Sequence, residues 1–282
     1  MIFLLNNILF SQKSIDSGIN KLEEGKVEEA QQIFLLHKDS KKAKLLLGDI
    51  ASHQKKWDLA IGYYEDLVET DPNSSIYNFK IGGAMGMKAL EINKFQAAFL
   101  IPTIKDYLEK AVALNPNHIE SHRALAELYL QLPGVLGGSL KKSKRHVKAL
   151  KRLNMLDYKI ALALIYIKQD EEKLAARTIK EGIEILQNTP SLALRNYIYF
   201  EYAENAMNYG VCITAIPKLM NHYVSNFNYL DLKTPGEAYF RLAQLAYRQR
   251  RKDIASTYVQ KALHFDASNS EIVALKQAIS NM

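Results

Sequence analysis

Two histidines four residues apart are the first candidates for chemistry in this sequence. His118 and His122 share one face of a predicted helix, and two imidazoles at that spacing can bind one metal ion. The pair does not stand in an H-E-x-x-H motif, and no third ligand is evident nearby. We therefore interpret both histidines as surface residues at a helix start, and we expect no metal site and no cofactor.

Catalytic side chains are the second kind of chemistry to consider. The sequence places no nucleophile beside a general base and shows no pair of carboxylates arranged for acid–base catalysis. The single cysteine, Cys212, excludes an intrachain disulfide, and its position at the predicted start of a second helix indicates a packed, unreactive thiol. The sequence therefore predicts no catalytic residue and no enzyme activity.

A glycine-rich loop before a basic helix could bind an anion. Free backbone N–H groups at Gly137, Gly138 and Ser139 would attract a negative charge, and the dipole of the following helix would favour it. The loop lacks the G-x-x-x-x-G-K-[ST] order of a nucleotide-binding P-loop. A structural loop that caps the helix through Ser139 is the alternative, and it is the interpretation that we favour.

Basic side chains follow this loop on one predicted helix, residues 140–152. Four of them share a helical face: Lys141, Arg145, Lys148 and Arg152. With a formal net charge of +7, this face suggests an acidic protein, a lipid headgroup or a polynucleotide as ligand. No aromatic residue interleaves the run to stack on bases, which disfavours nucleic acid. We favour a solvated helix face and keep an anion-binding module as the second hypothesis for function.

Pairs of small residues twelve apart indicate the elements that must position any site. The pairs are Gly18/Ala30, Gly48/Ala60, Ala163/Ala175, Ala203/Ala215 and Ala243/Ala255. Four residues after each pair comes an apolar residue, in order Phe34, Tyr64, Ile179, Leu219 and Val259. Because twelve residues span about one helix and a tight turn, each pair predicts two antiparallel helices that cross closely. The chain is predicted to be a row of helical hairpins.

This pattern resembles the tetratricopeptide repeat family. The second hairpin carries most of the resemblance, in Leu47-Gly48, Trp57, Ala60, Tyr64 and the closing Asp71-Pro72-Asn73. Two hairpins are longer, the third by ten residues between Gly82 and Ile104 and the fourth by five within Pro133–Ser139. The resemblance implies an all-α, right-handed superhelical solenoid over residues 13–282, with about seven antiparallel hairpins and a C-terminal capping helix.

The resemblance also implies where a partner binds. Members of this family bind proteins or peptides in a concave groove lined by the first helix of each hairpin, so we expect a non-catalytic scaffold. The corresponding groove positions are Leu45, Asp49, Phe79, Arg123, Glu127, Phe200, Glu204, Phe240, Gln244 and Tyr247. We expect the four aromatic residues of this set to be partly exposed anchors, and its acids to favour a peptide with basic or neutral flanks. Asparagine, which family members use to clamp a C-terminal carboxylate, is missing from these positions.

The first ten residues are mostly apolar, but no lysine or arginine precedes them. They resemble the core of a secretory signal, with Ser11-Gln12 after a processing site, so we interpret residues 1–12 as a signal peptide. A short helix that caps the first hairpin, or a frayed terminus, is the alternative. Export is thereby favoured slightly over a cytoplasmic location. A segment of ten residues is too short to span a bilayer, and no transmembrane segment is predicted.

Overall fold

The structure, a computed structural model, describes residues 14–282. The predicted signal peptide, residues 1–12, lies outside these residues. Between residues 14 and 282 the regular secondary structure is helical throughout, and no strand occurs. Three short 3₁₀ turns, Gly134–Leu136, Pro190–Leu192 and Ile213–Ala215, interrupt the succession of α-helices. The prediction of an all-α fold is confirmed.

The α-helices follow one another in hairpins. They are α1 (residues 14–23), α2 (Val27–Leu36), α3 (Lys41–His53), α4 (Trp57–Thr70), α5 (Ser75–Glu91), α6 (Lys94–Leu114), α7 (Ile119–Gln131), α8 (Leu140–Leu153), α9 (Met155–Lys168), α10 (Glu172–Asn188), α11 (Tyr197–Tyr209), α12 (Ile216–Ser225), α13 (Pro235–Arg248), α14 (Lys252–Phe265) and α15 (Ser270–Ser280). Each odd-numbered helix up to α13 pairs with the helix that follows it. This confirms the prediction of seven hairpins and a final single helix.

The helices form two compact units. The first unit contains the described residues up to Leu153 together with Asn228–Leu230, and the second contains Asn154–Phe227 and Asp231–Met282. The first unit thus holds α1 to α8, and the second holds α9 to α15. Each unit has its own apolar cores, formed where consecutive hairpins bury their inward faces against one another.

Small residues allow the close helix crossings of the first two hairpins. A Cβ atom on Gly18 would stand 2.5 Å from a ring carbon of Phe34, and one on Gly48 would stand 2.5 Å from a ring carbon of Tyr64. Ala60, the second member of its pair, is fully buried. The small residue of the first helix therefore packs under the aromatic residue sixteen positions later, which only a glycine allows at this distance.

The ten additional residues of the third hairpin lengthen both of its helices. α5 ends nine residues after Gly82, whereas α3 ends five residues after the equivalent Gly48. α6 begins fourteen residues before Leu108, the contact of Gly82, whereas α4 begins seven before Tyr64. At 1.5 Å per residue, the third hairpin extends further beyond its crossing by about 6 Å along α5 and about 10 Å along α6.

The sixth hairpin departs from the predicted repeat. Ala215 ends a 3₁₀ turn and precedes α12, so it does not lie within the second helix, and it is partly exposed. The predicted crossing at Ala203/Ala215 is therefore wrong. Gly210 and Cys212 both have left-handed backbone angles, which turn the chain between α11 and α12. Cys212 consequently lies in a linker, not at a helix start, while Pro217 occupies the first turn of α12, where its missing N–H costs least.

Candidate partner-binding site

The predicted groove positions of the first unit lie on α3, α5 and α7. Leu45 on α3 is partly buried and packs against the core. The carboxylate of Asp49 accepts a hydrogen bond from the Tyr64 hydroxyl at 2.6 Å and forms an ion pair with Lys80 Nζ at 2.7 Å. Asp49 is thus largely buried and neutralised by its neighbours, so it presents little net negative charge to a partner.

Phe79 and Glu127 are the more accessible members of this set. The ring of Phe79 is partly exposed, and its centroid lies 5.1 Å from that of His118. Burial lowers the pKa of His118, which favours a neutral imidazole beside the phenyl ring. Glu127 is exposed and accepts a hydrogen bond from the Gln131 amide at 2.6 Å. Arg123, partly exposed, lies one helical turn before Glu127.

Gly83 leaves an opening on the face of α5. A Cβ atom on Gly83 would meet no atom within 4 Å, whereas one on the neighbouring Gly82 would stand 3.0 Å from Leu108. Phe79 lies one helical turn before Gly83, and the exposed Met87 lies one turn after it. The backbone of α5 is therefore accessible between two apolar side chains, which is the arrangement that a docking side chain needs.

The segment Asn228–Leu230 covers another part of the first unit. The ring centroid of Tyr229 lies 4.3 Å from that of His53, the last residue of α3, and Leu230 packs against the core of the first two hairpins. Burial raises the pKa of Tyr229. The first-helix face of this unit is thus covered at the end of α3 and open at Gly83.

Phe200 and Phe240 in the second unit are core residues, so the prediction that they are exposed anchors is wrong. Phe200 is 1% exposed and contacts the ring of Tyr223 edge to face, with 5.3 Å between centroids. Phe240 is 9% exposed and belongs to the core formed by α13, α14 and α15. Each phenylalanine precedes a fully buried alanine, Ala203 or Ala243, by three residues. Residues three apart share a helix face, so the rings are drawn into the core.

The remaining groove positions of the second unit form a polar cluster. Arg241 Nη2 lies 2.7 Å from a carboxylate oxygen of Glu204, and Arg241 Nη1 donates a hydrogen bond to the Gln244 side chain at 3.1 Å. Tyr247 is partly exposed and packs against the core of the last hairpin. The negative charge of Glu204 is therefore balanced within the cluster, as that of Asp49 is in the first unit.

The amides of the glycine-rich loop are engaged within the loop. The Gly138 N–H donates to the Pro133 carbonyl at 3.0 Å, and the Ser139 N–H donates to the Tyr129 carbonyl at 2.8 Å. The Ser139 hydroxyl oxygen accepts a hydrogen bond from the Lys142 N–H at 3.2 Å at the start of α8. This geometry matches the interpretation of the loop as a helix cap. The Gly138 and Ser139 N–H groups are already used within the loop, whereas an anion site would need them free.

α8 presents a basic face to solvent. Its exposed cations are Lys141, Lys142, Lys144, Arg145, Lys148, Lys151 and Arg152, and the helix contains no acid. Lys142 Nζ lies 4.8 Å from the centroid of the Tyr129 ring and 3.8 Å from a carboxylate oxygen of Glu109. The predicted basic residues thus share one surface. The loop amides, which the anion-binding hypothesis combined with them, are not part of that surface.

Residues 15–75, which form the first two hairpins and include the Gly48–Tyr64 contact, match the family model of the tetratricopeptide repeat. Residues 15–75 carry tetratricopeptide repeats. The fold of this repeat protein is similar to that of a tetratricopeptide repeat protein from Parabacteroides merdae, with a TM-score of 0.53, 12% identity, and coverage of 96% of this chain and 98% of that chain. It is also similar to yeast Tom70, with a TM-score of 0.61 and 15% identity.

That second match covers 96% of this chain and 53% of the Tom70 chain. No curated protein matches the repeat protein. Identities this low establish a shared fold, and the family resemblance stated from the sequence is confirmed. Among the helices of residues 14–282, none is long and apolar enough to cross a membrane.

The two histidines that are four residues apart, His118 and His122, do not share a ligand site. His118 Nδ1 lies 2.7 Å from the Ser121 hydroxyl, whereas His122 Nδ1 lies 3.0 Å from His146 Nδ1 and His122 Nε2 lies 3.0 Å from the Pro116 carbonyl. His122 is buried, so its interpretation as a surface residue is wrong. In the part of the chain that the structure describes, no three His, Cys, Asp or Glu side chains are grouped as metal ligands.

Sequence reasoning missed the cations that neutralise the groove acids. Lys80 pairs with Asp49, and Arg241 pairs with Glu204. Each of these cations directly follows a predicted groove aromatic, Phe79 or Phe240, on the first helix of the next hairpin. A search for a cation beside the aromatic position, one repeat after each groove acid, could have found both pairs.

Proposed function

We propose that this tetratricopeptide repeat protein is a non-catalytic scaffold that binds a protein or peptide on the first-helix face of its first unit. The observation that carries the proposal is the opening at Gly83, which lies between Phe79 and Met87 on α5. Partner recognition by a helix face needs a desolvated pocket for one anchor side chain, and bare backbone between apolar side chains supplies one.

The chemistry of this face defines the partner. Phe79 and Met87 favour an apolar anchor side chain above Gly83. Asp49 and Lys80 neutralise each other, so they offer hydrogen-bonding groups without net charge. Glu127, which accepts a hydrogen bond from the neutral Gln131 amide, favours a basic or neutral residue next to the anchor. We therefore expect a peptide segment with one large apolar residue and no cluster of acids.

The experiment fills the opening and leaves the fold intact. Peptides are selected from a random library against the purified chain, and their affinities are measured for the Gly83→Leu variant. A leucine there meets no neighbouring atom at Cβ and replaces a helical glycine, so we expect folding to be retained. Loss of one apolar anchor site predicts affinities at least about tenfold weaker.

Gly62→Leu is the matched control. Gly62 also lies within a helix, α4, and a Cβ atom there also meets nothing within 4 Å, but α4 is the second helix of its hairpin. The selected peptides should bind this variant as they bind the natural chain. Equal affinities for both leucine variants, or a library that yields no binding peptide, would contradict the proposal.

A further inference from the structure

Three large apolar side chains are exposed at the end of the third hairpin. Leu90 is 72% exposed, Phe95 is 74% exposed and Phe99 is 69% exposed. The two phenyl rings contact each other edge to face, with 5.0 Å between their centroids. These side chains belong neither to a core nor to the predicted groove, and we call residues 90–99 the aromatic tip.

The lengthened helices explain why the aromatic tip is exposed. The third hairpin extends about 6 to 10 Å further beyond its crossing than the second hairpin does. The loop of the fourth hairpin lies beside α6 at Lys105, where a Cβ atom on Gly137 would stand 2.6 Å from Nζ. Phe95 lies ten residues earlier on α6, about 15 Å along the helix axis. The first turns of α6 therefore extend beyond this neighbouring loop.

Lysines lie beside the base of the aromatic tip. Lys94 begins α6, and Lys55 and Lys56 lie in the turn between α3 and α4. All three are exposed, and within residues 14–282 none of them forms an ion pair or a side-chain hydrogen bond. Their charges are therefore available to an anionic surface.

The acids next to the tip are already engaged. Asp58 forms an ion pair with Lys88, and Glu91 accepts a hydrogen bond from the indole N–H of Trp57 at 2.7 Å. These contacts also hold the turn between α3 and α4 against the end of α5, so the free lysines and the exposed rings occupy one end of the unit. Among the residues named at this end, the four lysines outnumber the two acids, Asp58 and Glu91, so their net charge is positive.

We propose that the aromatic tip docks on the surface of an anionic lipid bilayer. Aromatic and leucine side chains at the boundary of headgroups and acyl chains are buried by about 5–10 Å, a depth that matches the extra length of this hairpin. Lysines at the base of the tip would then lie among anionic headgroups. Each lysine adds electrostatic attraction to the membrane surface. Trp57, beside the tip, has the amphipathic side chain that is enriched at membrane interfaces.

The shape of the tip favours a lipid surface over a protein partner. A stable protein interface buries about 800 Å² on each side and is usually built around a pocket. The tip is the closed end of a hairpin, and its exposed apolar groups are confined to the last turn of α5 and the first two turns of α6. A fluid interface accommodates such an end without a complementary shape.

Vesicle flotation tests the proposal. The full chain is mixed at low salt with vesicles of phosphatidylcholine alone or of an equimolar mixture with phosphatidylglycerol. We expect binding to the anionic vesicles and binding at least about tenfold weaker for the Phe95→Ser/Phe99→Ser variant. Leu36→Ser is the control, because Leu36 is 82% exposed in the same unit but ends α2, at the opposite end of the hairpins.

Trp57 supplies a readout of orientation because it is the only tryptophan in the chain. Brominated lipids should quench its fluorescence when the tip is docked, and a Lys55→Glu/Lys56→Glu/Lys94→Glu variant should lose both quenching and flotation. Flotation without quenching would assign binding to another surface, such as basic α8, and would overturn the proposal. Absence of flotation would also overturn the proposal. The same holds if sedimentation velocity shows self-association of the natural chain that the Phe95→Ser/Phe99→Ser variant abolishes.

Discussion

Gly48 lies directly beneath the ring of Tyr64. A Cβ atom on Gly48 would stand 2.5 Å from one ring carbon of Tyr64 and 2.9 Å from the carbon that carries its hydroxyl. That hydroxyl donates to Asp49 at 2.6 Å and lies 3.1 Å from the Ser52 hydroxyl, and burial raises the pKa of Tyr64. The close crossing of α3 and α4 therefore also fixes the position of a carboxylate at the candidate binding face.

Replacing Gly48 by alanine should destabilise the chain. The added methyl group overlaps the Tyr64 ring, and overpacking of this kind costs about 1–3 kcal/mol. Gly62→Ala is the control, because that position is open and helical, and there alanine should stabilise by about 0.5–1 kcal/mol. The urea unfolding midpoint should fall for Gly48→Ala and rise for Gly62→Ala. A rise for both variants would show that the helix crossing relaxes around the methyl group.

The helical hairpins could be predicted from the sequence because their pattern depends on the spacing of residues close together in the chain. Gly48 and Tyr64 are matched by residue size alone, so their contact could be predicted without knowing the rest of the fold. The burial of Phe200 could not be predicted in this way, because it depends on how Tyr223 of the following helix packs against the Phe200 ring. Placement of the extra residues at the start of α6 likewise depends on continuation of the helix through Pro102, because a proline inside a helix usually kinks or breaks it.

Arg195 should contribute strongly to the stability of the second unit. Its guanidinium forms an ion pair with Asp157, whose carboxylate is buried. In the Arg195→Met variant that carboxylate loses its cation, and breaking a buried pair in this way costs about 3 kcal/mol. The exposed pair of Arg177 and Glu181 is the control, and Arg177→Met should cost less than about 1 kcal/mol. Comparable losses for both variants in chemical denaturation would contradict this assignment.

The contact between His122 and His146 should make the first unit sensitive to acid. His122 Nε2 donates to the Pro116 carbonyl, so its Nδ1 can accept the proton of His146 Nδ1. Burial, together with the neighbouring His122 and Arg145, lowers the pKa of His146 to about 4.

Because that pKa lies below the value of an unfolded histidine, the contribution of His146 to stability is complete above about pH 6.5 and is lost as the pH falls towards 4. Allowing for the partial exposure of the ring, we expect a loss of about 1–2 kcal/mol over this range. The His146→Gln variant removes this titration while the carboxylates still titrate. The difference in the free energy of unfolding between the natural chain and the variant should therefore become smaller as the pH falls. A difference that does not change with pH would contradict the assignment.

The glycines of the loop before α8 should differ in their tolerance of a side chain. A Cβ atom on Gly138 would stand 1.8 Å from the Leu132 carbonyl oxygen and 3.0 Å from the Pro133 carbonyl oxygen, whereas one on Gly134 would meet no atom within 4 Å. Because backbone atoms cannot move aside as a flexible side chain can, Gly138→Ala must displace the loop and should cost more than about 2 kcal/mol. Gly134→Ala should change the free energy of unfolding by less than about 0.5 kcal/mol.

This pair of variants also distinguishes a structural loop from an anion site. If the loop serves to cap α8, then phosphate should not raise the melting temperature of the natural chain, and Ser139→Ala should cost about 1 kcal/mol through the lost cap. Thermal unfolding of the natural chain and of all three variants, with and without phosphate, measures both effects. A phosphate-dependent stabilisation that disappears in Gly138→Ala and persists in Gly134→Ala would instead restore the anion-binding hypothesis for this loop.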